Sequence, residues 1–146
     1  KESSMNKISK AIISTLSILL LFSCEDNENN TEPVLAEFGS ISGEITFSGA
    51  WPDSGEVLIT LDTSYPPMGP PAGFAYITND EVTGGVYNYS FSNLSFRSYE
   101  AITITYWSLG YATAGTNYSL IGSFIDSINV TQDDADLTIN MDATFN

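Results

Sequence analysis

The chain has 146 residues, with four Lys or Arg, eighteen Asp or Glu and no His. From Cys24 onward seventeen acids are opposed by Arg97 alone, so this part carries a formal charge of −16 and repels nucleic-acid phosphates, which excludes nucleic-acid binding. Without an imidazole and with a single thiol, the chain can build no Ser–His or Cys–His pair, no His- or Cys-based zinc site and no internal disulfide. No cofactor is indicated, and paired carboxylates are the only acid–base groups left.

Residues 1–23 have the layout of a secretory signal peptide. Lys7 and Lys10 precede an apolar run over residues 11–22, and small residues follow. We interpret Met5 as the natural start and residues 1–4 as upstream sequence. The run would span roughly 18 Å as a helix at ~1.5 Å per residue, against about 30 Å for a bilayer core. We therefore expect a cleaved signal rather than a transmembrane helix.

The segment "LFSC", residues 21–24, resembles the lipobox of bacterial lipoproteins, in which Leu, a variable residue and a small residue precede the lipidated Cys. The resemblance implies cleavage before Cys24, a diacylglycerol on its sulfur and an acylated amino group. The alternative is an ordinary signal peptide with a stray cysteine, although a free thiol in a secreted chain would be a liability. Several acyl chains anchor a protein stably, so we expect a membrane partner through this lipid, in the outer membrane of the cell envelope.

Residues 24–38 include "EDNENNTEP", which is polar, acidic and without strand or helix periodicity. This composition predicts a disordered tether. Acids directly after the lipidated Cys also resemble the surface-export tags of some outer-membrane lipoproteins, which implies display on the cell surface. A solvated spacer is the alternative.

Residues 39–146 alternate between apolar and polar positions in five segments, which are "SISGEITFS", "EVLITLD", "VYNYSFS", "YEAITITYW" and "DLTINMDATF". Period two is typical of half-buried strands. In the fourth segment, for example, Ile104 is predicted to face the core and Thr103 the solvent. "GFAYIT" and "YSLIGSFI" are weaker strand candidates, and no segment here has helical spacing.

Turn signals separate these segments, and the proline-rich stretch at residues 64–73 cannot be a central strand because its four prolines lack N–H donors. About seven short strands, each with one apolar face, predict an all-β fold: a single antiparallel, immunoglobulin-like or prealbumin-like β-sandwich. The length suits one domain, and we expect a monomer.

Two stretches are similar to carboxypeptidase-regulatory-like, prealbumin-type sandwich domains, over residues 41–106. The matching positions are Gly43, Phe47, Gly49, Phe91, Asn93, Leu94, Phe96 and Tyr99. Ser98 stands where that family usually has Gly. The resemblance implies the sandwich fold and an accessory or interaction role, with no catalytic residues to carry over.

Aromatic residues near predicted loops suggest a ligand platform made of Trp51, Trp107 and Tyr111. Exposed rings there would stack on sugar faces, so a carbohydrate-binding module of a cell-surface polysaccharide system is the alternative to a non-catalytic accessory module. The rings could instead be core residues that cap the ends of the sandwich.

Other candidates are weaker. Asp133, Asp134 and Asp136 form an oxygen-rich turn that could hold calcium, but they lack the spacing of the common calcium loop, so a plain turn is favoured and no metal is expected. Ser127, within "DSI", resembles a bacterial O-glycosylation site. A small hydrolase is the third function considered, but no pair of acids has a spacing that places them across a cleft. We predict that the protein is not an enzyme.

Overall fold

The structure is a computed structural model that describes residues 35–113 and 115–146. Within these residues the chain forms ten β-strands and one short 3₁₀ helix, Asn79–Glu81. The strands are β1 (Gly39–Ser48), β2 (Glu56–Asp62), β3 (Gly73–Ile77), β4 (Val86–Leu94), β5 (Arg97–Tyr99), β6 (Ala101–Trp107), β7 (Ser119–Phe124), β8 (Ile128–Val130), β9 (Asp136–Thr138) and β10 (Met141–Thr144). The predicted all-β fold is confirmed. The predicted signal peptide, Cys24 and residues 25–34 of the predicted tether lie outside the described residues.

The strands form two main sheets. In sheet 1, β1 is central and pairs with β4 on one side and with β9 and β10 on the other. Sheet 2 has the order β3–β2–β6–β7. In the described part of the chain, all pairings are antiparallel except those of β1 with β9 and β10, which are parallel.

The core lies between the inward faces of the two sheets. Ile41 and Ile45 from β1 meet Ile59 of β2 and Ile102 and Ile104 of β6, and none of these side chains is exposed. Their two-residue spacing places them on one face of each strand, as predicted. Each contributes about 1.5–3 kcal/mol by leaving water, so this layer holds the sandwich together.

The small β5–β8 pair was not predicted. Arg97–Tyr99 pairs antiparallel with Ile128–Val130, and Tyr99, Ile128 and Val130 are buried. The Tyr99 hydroxyl donates a hydrogen bond to the carbonyl oxygen of Ser95 at 3.0 Å, which ties the turn before β5 to the core. Three residues are too few for alternation to be recognised in sequence.

The last predicted strand, "DLTINMDATF", is interrupted in the structure. Between β9 and β10, the side-chain oxygen of Asn140 accepts the N–H of Glu44 at 2.9 Å, a bond that a backbone carbonyl would make in a continuous ladder. Ile139 still donates its N–H to Ser42 O at 2.8 Å. The chain therefore stays beside β1 between the two strands, and the Asn140 side chain takes the place of a backbone acceptor there.

The two lateral sides of the sandwich differ. On one side β7 approaches β10 so closely that a Cβ on Gly122 would lie 2.5 Å from the carbonyl oxygen of Asp142, so only glycine fits there. On the other side lie β3 and β4, each the last strand of its sheet within the described residues. One side is thus closed by backbone contact, and the other ends in two strand edges.

Candidate functional site

The outward face of sheet 2 carries apolar and hydroxyl side chains. By strand register, Leu58 of β2 lies between Tyr76 of β3 and Thr105 of β6, and Leu120 of β7 follows Thr105. Leu58 is only 2% exposed, and it packs with Trp107 rather than with the core between the sheets. A second, smaller apolar cluster therefore covers the outside of this sheet.

Thr103 lies on the same face and is also buried. It is 7% exposed, so the prediction that it meets solvent is wrong. Its hydroxyl lies 2.8 Å from that of Thr60, which stands directly across from it on β2 and next to Phe74 of β3. Short side chains in the middle of a sheet are shaded by longer neighbours, which single-strand alternation cannot reveal.

Trp107 and Tyr111, two of the three predicted platform residues, lie together. Their ring centroids are 5.0 Å apart at 88°, and Tyr118 packs on Trp107 at 4.8 Å and 33°. The indole N–H of Trp107 donates to Thr105 Oγ1 at 2.9 Å. We call Trp107, Tyr111 and Tyr118 the outer aromatic cluster. Trp107 is 9% exposed and both tyrosines are about half exposed, so the tyrosines are the part of this cluster that a ligand would touch.

Trp51, the third predicted platform residue, belongs to a different group. It packs edge-on against Phe47 at 5.2 Å and Phe145 at 4.9 Å, beyond the end of β1. It is partly buried against the main core. The structure therefore separates Trp51 from Trp107 and Tyr111; Trp51 caps the sandwich and is also a lining residue of a cleft at that end.

This end cleft has a volume of about 540 Å³ and is lined by residues that include Trp51, Tyr76 and Tyr106 together with Asp53, Glu56 and Asn79. Its volume is within the range of about 300–1,000 Å³ found for small-ligand sites. Three aromatic residues and several residues with hydrogen-bonding groups contribute to its lining. Such a mixture suits a ligand with both apolar faces and polar edges.

Two hydrogen bonds hold the walls of the end cleft. The Tyr106 hydroxyl donates to Ser54 O at 2.9 Å and fixes the turn between β1 and β2. Glu56 Oε2 accepts the backbone N–H of Tyr111 at 2.6 Å. Glu56 therefore connects the end cleft with the outer aromatic cluster.

The electrostatics of the cleft are one-sided. Its charged lining residues, Asp53 and Glu56, are both acidic. Arg97, the one basic residue of the described ranges, lies on β5 with its guanidinium 5.9 Å from the ring centroid of Tyr99. The cleft consequently disfavours anionic ligands.

Asp62 is the buried acid of sheet 2, with an exposure of 4%. Burial raises the pKa of its carboxyl group, and the hydrogen bond from the Thr60 hydroxyl, at 2.9 Å, lowers that pKa by a smaller amount. Sequence alternation placed Asp62 on the outward face but gave no sign that neighbouring strands would cover it.

The remaining predicted residues lie elsewhere. Asp136 accepts a hydrogen bond from Ser40 at 2.7 Å, and the N–H of Asp134 donates to Thr131 Oγ1 at 3.1 Å. Together with Asp133 they form no metal site, because within the described ranges no group of three His, Cys, Asp or Glu residues is placed to hold an ion. Ser127 is exposed, with its hydroxyl 3.3 Å from that of Ser98.

Sequence analysis missed Tyr76, Tyr106, Asp53 and Glu56 as members of one cleft. They come from β2, β3, β6 and the turn before β2, so only the sheet order brings them together. The prolines and glycines near residues 52–55 indicated a turn, and no local signal specified which rings would face it.

No family model matches the chain, and no curated protein or solved structure is significantly similar to it. Among the described residues, no helix has the length and apolar character needed to cross a membrane.

Proposed function

We propose that the protein is a bacterial lipoprotein whose β-sandwich is a non-catalytic interaction module, held in the cell envelope by lipid on Cys24. The lipobox-like "LFSC" after a short apolar run supports the anchor. The acidic tether that follows supports placement in the outer membrane with display on the surface. The resemblance to carboxypeptidase-regulatory-like domains supports an accessory role.

The observation that carries the interaction role is the outward face of sheet 2. Tyr111, Tyr118, Phe74 and Tyr76 each expose roughly half of their surface on or beside the strands. Contiguous exposed apolar patches mark interaction sites, and these four rings are linked across the face through Leu58 and Trp107. A non-catalytic role fits a chain without His, in which the buried acid Asp62 is hydrogen-bonded to a threonine rather than to a second carboxyl group.

The anchor is tested by metabolic labelling with palmitate in a bacterial host. We expect Cys24→Ala to abolish incorporation and signal cleavage, because the acceptor sulfur is gone. Ser23→Ala is the matched control, since it keeps a small residue before the cysteine and should be labelled like the parent. If the parent chain takes up no palmitate, or if Cys24→Ala is labelled like the parent, the lipid is not on Cys24 and the proposal fails. Protease treatment of intact cells then reports whether the sandwich faces outward.

A second candidate function is glycan binding, favoured by the end cleft. Its lining residues include the aromatic Trp51, Tyr76 and Tyr106, and Asp53, Glu56 and Asn79 have side chains that can hydrogen-bond to hydroxyl groups. The acidic lining selects uncharged rather than anionic sugars.

Affinity electrophoresis through gels that contain neutral polysaccharides tests this second function. Tyr76→Ala should lose retardation, because Tyr76 is a lining residue of the cleft that is 45% exposed and contributes little to the core. Phe38→Ala is the control, since Phe38 is 55% exposed but precedes β1 and is not part of the cleft lining. Equal retardation of both variants and the parent, or none for the parent on any neutral glycan, would remove glycan binding from consideration.

A further inference from the structure

The hydrogen bonds of β1 determine which backbone groups of β4 point toward the free edge of the sheet. Three residues of β1 form backbone hydrogen bonds on the side opposite to β4. Ser40 N–H donates to Ala135 O at 2.7 Å, and Ser42 O accepts the N–H of Ile139 at 2.8 Å. Glu44 N–H donates to Asn140 Oδ1 at 2.9 Å. Successive residues of a strand bond to opposite sides. The residues of β1 between these, such as Gly43, therefore bond to β4.

The consequence for β4 follows from its register with β1. Gly43 is opposite Tyr89, and Ile41 is opposite Phe91, so Tyr89 and Phe91 use their N–H and C=O groups toward β1. The intervening residues Asn88 and Ser90 direct theirs away from the sheet, as does Ser92 where the strand enters its bulge. Their side chains are exposed, and within the described residues no strand pairs with this edge.

This edge is open over a defined length. At its start, Thr83 and Val86 exchange two backbone hydrogen bonds of 2.9 and 3.1 Å and occupy the edge there. At its end, the register shifts after Phe91, and Asn93 adopts a positive φ of 56°. Between these limits β4 has no charge and no proline, the devices with which proteins usually protect an edge.

We propose that β4 pairs antiparallel with β4 of a second copy of the chain, about a two-fold axis at Ser90. A row of unpaired N–H and C=O groups is complementary to another backbone rather than to a side-chain surface. The sequence of the edge is self-complementary in this register, with Ser90 opposite its own copy and Asn88 opposite Ser92. This pairing joins two copies of sheet 1 into one continuous sheet, in place of the monomer expected from the sequence.

The charge of the chain does not oppose this pairing. Two acids lie near β4: Glu44, which stands across from Asn88 on β1, and Glu81, whose charge adds to burial in raising the pKa of Tyr87 at the start of the strand. Because the pairing about Ser90 is antiparallel, the two copies of Tyr87 lie about six residues apart along the strand, or ~20 Å, so the two Glu81 residues are at opposite ends of the contact. In the dimer the two Glu44 residues are separated by at least three inter-strand spacings of about 4.8 Å, or ~14 Å. That exceeds the screening length of about 8 Å at physiological salt. The contact is small, so it forms most readily where the chain is concentrated.

A disulfide-trapping experiment tests the register directly. In full-length Cys24→Ala, which has no other cysteine, Ser90→Cys is oxidised at increasing protein concentration. Residues opposite each other in a hydrogen-bonded pair have Cα atoms about 5.5 Å apart, within the range that a disulfide spans. Ser92→Cys is the matched control, because its own copy would lie four residues away along the strand, about 14 Å.

We expect a covalent dimer from Ser90→Cys at about tenfold or more the yield from Ser92→Cys, and an Asn88→Cys chain cross-linked to a Ser92→Cys chain. Ser90→Pro, introduced into both the Asn88→Cys chain and the Ser92→Cys chain, should abolish the cross-link between them. Proline at this position removes an outward N–H and leaves the bonds to β1 intact. Equal yields from Ser90→Cys and Ser92→Cys, or no dimer from either, overturn the proposal. A Ser90→Cys adduct in cells with a different protein alone also overturns it and identifies a foreign strand as the occupant.

Discussion

The two outward faces of the sandwich are built differently. On sheet 1, β1 presents Ser42, Glu44 and Thr46, which are polar and at least partly solvated. On sheet 2, Leu58 and Thr103 occupy equivalent outward positions and are buried. Sheet 1 thus follows the pattern of an antiparallel sheet with one wet face, whereas the central strands β2 and β6 of sheet 2 are covered on both faces.

The difference teaches where recognition should be sought. A solvated face has no apolar side chains to bury, so polar residues such as Ser, Thr and Glu are sufficient there. The outward face of sheet 2 is sheltered by its own aromatic neighbours, Tyr76 on β3 and the outer aromatic cluster beside β6. Side chains that are held rigidly and remain half exposed can bind a partner at a low entropic cost.

Ile104→Ala measures how much one side chain of the core between the two sheets contributes to the free energy of unfolding. Ile104 is completely buried, and its truncation should destabilise the protein by about 2–5 kcal/mol, as the loss of a buried aliphatic side chain does. Denaturant unfolding followed by circular dichroism measures this free energy. A cost below about 1 kcal/mol would mean that the two sheets do not pack against each other at this position.

Leu58→Ala measures how core-like the outward face of sheet 2 is. We expect a loss of about 2 kcal/mol, at the lower end for leucine truncations, because the cavity beside Trp107 opens toward solvent. Thr46→Ala on the outward face of sheet 1 is the control and should change stability by about 0.5 kcal/mol or less. Similar small effects from both variants would remove the contrast between the two faces.

Much of the fold could be predicted because alternation is a local property. Inward residues such as Ile41 and Ile45 on β1 and Ile104 on β6 alternate with outward positions along each strand. This two-residue period identifies both the strand and its inward face. The β5–β8 pair is too short to show a period, and the break near Asn140 depends on a side chain that replaces a backbone acceptor of β1.

The candidate site was less predictable because it is made across strands. Trp107 and Tyr111 are near each other in sequence, and their contact follows from a strand end and the turn after it. Trp51, Tyr76 and Tyr106 meet only through the order β3–β2–β6. The burial of Thr103 and Asp62 has the same origin, since their neighbours come from adjacent strands.

Thr103→Val tests the buried hydroxyl pair of sheet 2. Thr60 donates to Asp62, so Thr103 must donate to Thr60, and valine keeps the shape but removes this bond. We expect a loss of about 1 kcal/mol, the typical net value of one hydrogen bond. Thr46→Val makes the same chemical change on the solvated face and should be nearly neutral. If both changes are neutral in denaturant unfolding, Thr103 reaches water in solution.

Asp62→Asn tests the burial of the acid itself through pH. Burial raises the carboxyl pKa in the folded state above its value in the unfolded chain, so folding favours the protonated form. The stability that this proton supplies is fully present below the unfolded pKa, about 3.9, and is lost as pH rises through the folded pKa. At pH 7 the ionised carboxylate therefore destabilises the fold.

Asparagine cannot ionise, and its amide oxygen still accepts the Thr60 hydroxyl. Asp62→Asn should consequently be more stable than the parent at pH 7, with an advantage that shrinks on acidification by at most about 1.4 kcal/mol per pH unit, the limit for one proton. Asp142→Asn removes the same charge from an exposed position on sheet 1 and measures the general relief of charge repulsion. Unfolding free energies between pH 4 and pH 7 should show a larger gain for Asp62→Asn. Identical gains and parallel pH profiles for the two variants would mean that Asp62 is as well solvated as Asp142, and that the outward face of sheet 2 is open to water at this end.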